Sequence, residues 1–525
     1  MAWRNAWRNA WIPLVIYGFT LLSLKSPTAR GLDVVKVDGG LVSGTRGRDR
    51  AIHIFRGVPF AAPPVGALRW KAPQPVIPWK GVRRCDTFGP SPMQGDPVPF
   101  GPWSREYLIP PKPISEDCLY LNIWTGASSG HERRPVLVWI YGGGFLSGGS
   151  AVPVYDGEAM ARKGIVFVSI NYRVGIFGFF AHPWLTRESG RNASGNYGLM
   201  DQVAALRWVQ KNIAAFGGDP AQVTIAGQSA GSMSVNCLVA SPLCHHLFTR
   251  AIAESGASVL ASGPMSQANL SRAESEGTRV AELLHASSIE QLRGVPAADL
   301  LKVDAALRGP IVDGYVLPAS VPEIFRDHRE NDVDLLTGWN QDDGVVFGKP
   351  LAADAFKKEL SGEFGDVVAT GLLRYYPAGS DTQAAASQAS LSRDRIFGVQ
   401  NYTWANLQAT EGRGKVYVYR FTRPLPATGE YRKYGAFHTG EVAYAYDNLD
   451  SVHRCPWEQG DRVLAGVMSS YWANFIKYGN PNGRDLPFWP AYDTTKDAIM
   501  ILDVDPHAAP LPGKESLDFL AEHLR

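Results

Sequence analysis

The chain of 525 residues is 45% hydrophobic and 19% charged, enough apolar material for a large core, which excludes a disordered chain. Its 52 basic and 50 acidic residues leave a net charge of +2, with no basic stripe to follow a phosphate backbone, so a nucleic-acid partner is not expected.

The first thirty residues stand apart. "MAWRNAWRNA" carries Arg4 and Arg8 without an acid, an apolar run extends from Trp11 to Leu24, and "KSPTARG" supplies small residues, Ala29 and Gly31 among them, where a peptidase cuts. That order predicts a signal peptide over 1–30. An uncleaved anchor is the alternative, but the run is shorter than the roughly 20 residues a bilayer span needs. No second run of that length occurs downstream, so a secreted or periplasmic protein is expected, with no stable membrane association once the leader is removed.

The remainder, 31–525, is expected to form a single domain, because no linker or internal repeat divides it. "LDVVKVDGGLVSGT" reads as a β-hairpin turning at Gly-Gly, and "RGVPFAAPPVGALRWKAPQPV" as extended, Pro-rich chain. From Leu119 the runs "LYLNIW", "PVLVWIY" and "IVFVSINY" are short and almost continuously β-rich, the pattern of strands buried on both faces of a sheet. "MDQVAALRWVQKNIAAF" has helical spacing through Val203, Leu206, Val209 and Ile213 and stops at "GGDP". "VTIAG" is the next strand and "AGSMSVNCLVA" the helix after it. Beyond Ser255 helical stretches dominate, interrupted by the strands "VDLLTGWN" and "GKVYVYRFT". Such alternation predicts an α/β fold: a central, mostly parallel sheet flanked by helices, with the small N-terminal hairpin and a helical insertion.

Five cysteines in an exported chain invite pairing. Cys85 and Cys118 would close a Pro- and Gly-rich loop that has little regular structure of its own, so a disulfide is expected there. Cys237 and Cys244 suit a local bridge, with a buried Cys237 on a helix as the alternative, and Cys455 has no evident mate.

Between the strand "VTIAG" and its helix lies "GQSAG". A strand entering a helix through Gly-x-Ser-x-Gly turns sharply, the glycines spare the neighbouring strand a β-carbon, and the serine hydroxyl is raised above the sheet at a helix N-terminus. Ser229 is therefore the candidate nucleophile. A hydroxyl also needs a base, an acid to orient that base, and donors for the oxyanion. "YGGGF" comes directly after the strand "PVLVWI", so the amides of Gly143 and Gly144, with that of Ala230, suit a three-donor oxyanion hole. "QDDG" runs off "VDLLTGWN" and offers Asp342 and Asp343. Among eleven histidines, His438 in "YGAFHTGEVAYAY" sits in a small-residue loop just before an apolar stretch. The order Ser229, Asp343, His438 is the α/β-hydrolase order of nucleophile, acid and base. No cofactor or metal is required, and the expected partner is a small-molecule ester.

The segments "FRGVPFAAPPVGALRW", "EDCLYLNIW", "WIYGGGFLSG", "VSINYRVGIFGF", "GNYGLMDQVAALRWVQKNIAAFGGDPAQVTIAGQSAGS", "DDG" and "FHTGE" occur in one order along the chain. In this the sequence resembles the type B carboxylesterases, which include cholinesterases and bacterial para-nitrobenzyl esterases. The resemblance spans about Val34 to Tyr492. It implies the α/β-hydrolase fold and serine-dependent carboxylic-ester hydrolysis, with Ser229 as nucleophile, His438 as base and Gly143, Gly144 and Ala230 as oxyanion donors. It also implies that Cys85 and Cys118 form the N-terminal disulfide and that Arg69 pairs with Glu116. Asp343 departs from the glutamate most members carry; it is shorter by one methylene, so its turn must come closer to His438, with Asp342 the fallback acid. Gln228 stands where cholinesterases place glutamate, and Trp103 is out of register with their choline-binding tryptophan. A general esterase without choline preference is therefore expected, with aromatic esters among its candidate substrates. An inactive, cholinesterase-like binding or adhesion protein is the alternative. The sequons at Asn192, Asn269 and Asn401 are candidate glycan acceptors.

Overall fold

The computed structural model describes residues 32–260, 266–303, 309–346 and 348–524. The leader expected over 1–30 lies outside the described residues.

The β-rich runs assemble into one eleven-stranded sheet. Its order across the sheet is His507–Pro510, Ala498–Leu502, Val416–Phe421, Asp334–Asn340, Arg250–Glu254, Gly218–Gln228, Arg134–Ile140, Val166–Ile170, Tyr120–Thr125, His53–Pro59 and Thr45–Arg46. The seven strands from Ala498–Leu502 to Val166–Ile170 pair in parallel, and antiparallel strands close both sides. Parallel strands need helical crossovers, which cover both faces, and this is why Val136 to Ile140 and Val166 to Val168 show no alternation and are all buried. Each fully buried Val, Leu or Ile contributes about 1.5–3 kcal/mol to folding.

The expected hairpin pairs Val34–Val37 with Gly40–Ser43 and gains a third strand, Val82–Arg84. The helix expected after "GNYG" runs Tyr197–Asn212, and the one after the serine runs Ala230–Ala240. Among the strands that escaped the sequence reading are Arg250–Glu254, Ala498–Leu502 and His507–Pro510. "RAIAE" and "AIMIL" are apolar runs of only five residues, for which periodicity separates strand from helix poorly. The helical insertion spans Ala353–Phe364, Asp366–Tyr375, Asp381–Arg393 and Val399–Glu411. Among the described residues no helix is long and apolar enough to cross a membrane.

Candidate active site

Five neighbouring parallel strands carry the candidate residues to one edge of the sheet. Arg134–Ile140 leads to Gly143 and Gly144, Gly218–Gln228 to Ser229, Arg250–Glu254 to Ser255, Asp334–Asn340 to Asp343, and Val416–Phe421 into the loop that reaches His438. The register Gln228 to Glu254, Glu254 to Gly338 and Gly338 to Tyr419 levels the strand ends, so the loops leaving these strands emerge on the same crevice.

The elbow has the geometry its sequence requires. Ser229 has φ 59° and ψ −125°, a conformation that costs a non-glycine residue about 1–3 kcal/mol and persists only where neighbours enforce it. Its N–H donates to Glu254 O at 2.8 Å, and its carbonyl accepts from Met233 N–H at 2.9 Å. A β-carbon at Gly227 would stand 2.4 Å from the carbonyl carbon of Gly231, and one at Gly231 would stand 2.1 Å from Ile140 O. Both glycines are thus demanded by the close approach of turn, helix and adjacent strand. Gly143 and Gly144 are exposed, and among the described residues their amides donate to no other protein group. Ala230 is the first residue of its helix, so its N–H has no partner within the helix. These are the three amides that the sequence nominated.

His438 and Asp343, 95 residues apart in the chain, meet through Nδ1 and Oδ1 at 2.8 Å. Asp343 is fully buried, and its Oδ2 accepts from Ser255 Oγ at 2.9 Å and from the Asn340 N–H at 2.8 Å. Three hydrogen bonds therefore stabilise a carboxylate where water does not reach. Phe397 stacks on the imidazole with ring centroids 4.4 Å apart, and Trp103 stands edge-on at 6.4 Å while its indole N–H donates to Thr439 Oγ1 at 3.1 Å. The Gln228 amide nitrogen, next to Ser229 in sequence, lies 3.2 Å from His438 Nε2 and 3.4 Å from Nδ1. Asp342, the fallback acid, turns to the backbone instead: its Oδ2 accepts from Ala436 N–H at 2.8 Å.

Beneath the site lie two further carboxyls, Glu254 and Glu441, both fully buried. Glu254 Oε1 accepts from Tyr446 Oη at 3.0 Å and Trp472 Nε1 at 2.9 Å, and Glu441 accepts from Asn340 Nδ2. Burial pushes Glu254 up to about 7. Burial, then the neighbouring Glu254, holds Glu441 well above the ordinary carboxylate range.

Sequence reasoning did not find Ser255, Asn340, Phe397 or the place of Trp103. Asn340 had a signal, since it ends the strand that supplies "QDDG"; the others come from segments that only the folded chain brings near. The expected ion pair is present, Arg69 Nε and Nη2 meeting Glu116 at 2.7 and 2.5 Å. The expected disulfide is not. Cys85 and Cys118 are buried free thiols. Arg56 N–H donates to Cys85 O at 2.7 Å and Phe60 N–H to Leu119 O at 3.2 Å, so the two cysteines lie at different levels of the strand His53–Pro59. The anchors Arg56 and Phe60 are about 13 Å apart at ~3.3 Å per residue, against a limit of roughly 7 Å between Cα atoms for a bridge. Cys237, Cys244 and Cys455 are free as well, which selects the buried helical reading of Cys237 over a local bridge to Cys244. Asn401 is also corrected: it is fully buried, taking the Gly256 N–H at 2.9 Å and donating to Thr337 Oγ1 at 2.7 Å, so it cannot accept a glycan. Among the described residues no group of three or more His, Cys, Asp or Glu is arranged to hold a metal ion.

Sheet order, elbow and flanking helices define an α/β-hydrolase. Residues 32–520 match the model of the Carboxylesterase family, and the chain belongs to that family. It is 36% identical to fumonisin B1 esterase of Sphingopyxis macrogoltabida over 507 residues, covering 91% of this chain and 89% of the relative. It is 34% identical to para-nitrobenzyl esterase of Bacillus subtilis (strain 168) over 496 residues, covering 90% and 94%. A solved structure of PNB esterase superposes with a TM-score of 0.80 at 30% identity, covering 93% of this chain and 99% of the other. The protein is accordingly a carboxylic-ester hydrolase that acts on small-molecule esters.

Proposed function

We propose that Ser229, His438 and Asp343 form the catalytic triad of a general carboxylesterase, with the amides of Gly143, Gly144 and Ala230 as its oxyanion hole. The chief support for this reading is the 2.8 Å contact between His438 Nδ1 and Asp343 Oδ1, together with the strained conformation of Ser229 at a helix N-terminus. His438 Nε2 takes the Ser229 proton as Oγ attacks the ester carbonyl. The three amides bind the oxyanion, each contributing about 3 kcal/mol to the barrier reduction. His438 then protonates the departing alcohol, and in the second half-reaction it deprotonates the water that releases the acid from the acyl-serine. Asp343 keeps Nδ1 protonated and stabilises the imidazolium in both halves.

Trp103, Phe397 and the exposed Phe100, whose ring centroid lies 4.7 Å from that of Trp103, favour esters with an aromatic or bulky apolar group beside His438. The leader-like order of 1–30 favours export of the mature enzyme. A fluorophosphonate probe applied to wild type and Ser229→Ala tests the triad. Labelling of the wild type alone, abolished with esterase activity in the variant, is expected; a wild type that does not label would instead support the inactive binding protein.

A further inference from the structure

The acid turn and the loop bearing His438 leave two different strands, and their relative position must be set by contacts between them. Asp342 makes two such contacts to one residue. Its backbone N–H donates to Ala436 O at 3.1 Å, and its carboxylate Oδ2 accepts from Ala436 N–H at 2.8 Å. The backbones meet as an isolated parallel bridge between Asp342 and Phe437. Glycine at 435 permits the approach: φ there is +54°, and a β-carbon would stand 2.2 Å from Asp342 Oδ2. Asn340 adds a third tie, Nδ2 donating to Phe437 O at 2.9 Å. On its other side the turn is anchored through Gln341, whose carbonyl accepts from Arg393 Nη1 at 3.3 Å and whose Oε1 accepts from Arg420 Nε and Nη2 at 3.3 and 3.2 Å.

Resting on the triad assignment, we infer that Asp342 is a positioning residue that clamps the histidine loop to the acid turn and so brings His438 within reach of the short Asp343 side chain. Aspartate reaches one methylene less than glutamate, so the two backbones have little slack: drift of the Ala436 segment opens the 2.8 Å contact between Asp343 and His438. The carboxylate's hold on the loop runs through Oδ2, which accepts from Ala436 N–H, while its charge also meets that of Asp343; asparagine keeps the first and removes the second. The position requires an acceptor of the right length, and asparagine supplies one.

The experiment measures kcat, KM, pH dependence and phosphonate labelling for wild type, Asp342→Ala, Asp342→Asn and Asp342→Glu. Asp342→Ala is expected to lose about 10²-fold in kcat, the cost of a misplacement near 1 Å, with KM changed less than about threefold. Its pH profile of kcat/KM moves to lower pH, because an imidazole less firmly held by Asp343 gives up its proton more readily. Asp342→Asn recovers most of the loss, and Asp342→Glu, whose carboxylate is driven into Gly435, does not. Should Asp342→Ala fold poorly, Asn and Glu decide between them, since both keep a polar side chain of similar size. An Asp342→Ala enzyme with wild-type kcat and pH profile overturns the clamp, as does Asp342→Asn or Asp342→Glu behaving contrary to this order. Failure of the wild type to label overturns the triad reading itself, which separates the two.

Discussion

Replacing Asp343 by asparagine is the sharpest probe of the site, because the structure dictates how the new amide must sit. Asp343 Oδ2 receives two donors, the Ser255 hydroxyl at 2.9 Å and the Asn340 backbone N–H at 2.8 Å. The hydroxyl can rotate, but the backbone N–H cannot, and an NH₂ group placed against it would leave two donors facing each other at a cost of about 1–3 kcal/mol. The carbonyl oxygen of the asparagine therefore takes the Oδ2 position and its NH₂ faces His438 Nδ1. Nδ1 must then accept, which moves the imidazole proton to Nε2, the atom that should take the proton of Ser229. Tautomer reversal of this kind costs about 10⁴-fold in kcat, equivalent to ~5 kcal/mol at 1.36 kcal/mol per decade. The assay is kcat/KM on a para-nitrophenyl ester with phosphonate labelling in parallel, and a thermal melt confirms that the variant is folded. A folded Asp343→Asn enzyme within about tenfold of wild type would refute the assignment, as would a larger loss in Asp342→Asn.

Gln228→Glu puts a carboxylate about 3 Å from both nitrogens of His438; it stabilises the imidazolium, so the rising limb of the pH–activity profile should move up by about one unit, and an unmoved or lowered limb would contradict the geometry. Glu254→Gln tests the buried carboxyl under Ser229. Burial raises Glu254 from its ordinary 4.5 to about 7, so the contribution of this one group to stability is fully present below about pH 4.5 and is lost as pH rises to about 7, because the unfolded chain ionises there first. The difference amounts to about 3 kcal/mol. The variant should therefore gain on the wild type across that interval, by a few degrees in melting temperature at pH 7 to 8, and equal pH slopes would count against the assignment. Thiol titration checks the cysteines: burial pushes Cys85 and Cys455 up to about 11 and Cys237 and Cys244 to about 12, and holds Cys118 well above its ordinary value. Thiolates are thus scarce at neutral pH, so the native protein should resist a thiol reagent, five thiols should titrate on unfolding, and mild reduction should leave the melting temperature unchanged. Fewer than five would mean that a bridge forms.

Much of the site was legible because its chemistry is local. The run "VTIAGQSAGS" contains the strand, the two glycines that tolerate Ile140 and the helix, and the serine between them. "YGGGF" announces exposed amides in the same way. Strands buried on both faces advertise themselves as uninterrupted Val, Ile and Leu, and the sheet centre was recognised on that basis. The features that escaped depended on distance. The short strand Arg250–Glu254 carries no periodicity of its own, so Ser255, which braces Asp343, could not be placed. Trp103 and Phe397 belong to a loop and a helical segment with no motif, yet they enclose the imidazole. The cysteine pair failed for the converse reason: a loop that would benefit from a bridge does not show that its ends lie at different levels of one strand.

By itself, then, the amino-acid order announced the alternation of buried strands with helices, and it marked the elbow at Ser229 and the three candidate amides by short local patterns, although the contacts that hold the elbow, Gly231 against Ile140 and Ser229 N–H to Glu254 O, come from strands far along the chain. The choice between adjacent aspartates, the partner of each buried carboxyl and the state of the thiols were decided only by folding. These depend on which way a side chain leaves its turn and on the groups that another part of the chain presents to it there. Asp343 meets an imidazole 95 residues onward, while Asp342, one residue earlier and chemically identical, meets a backbone amide.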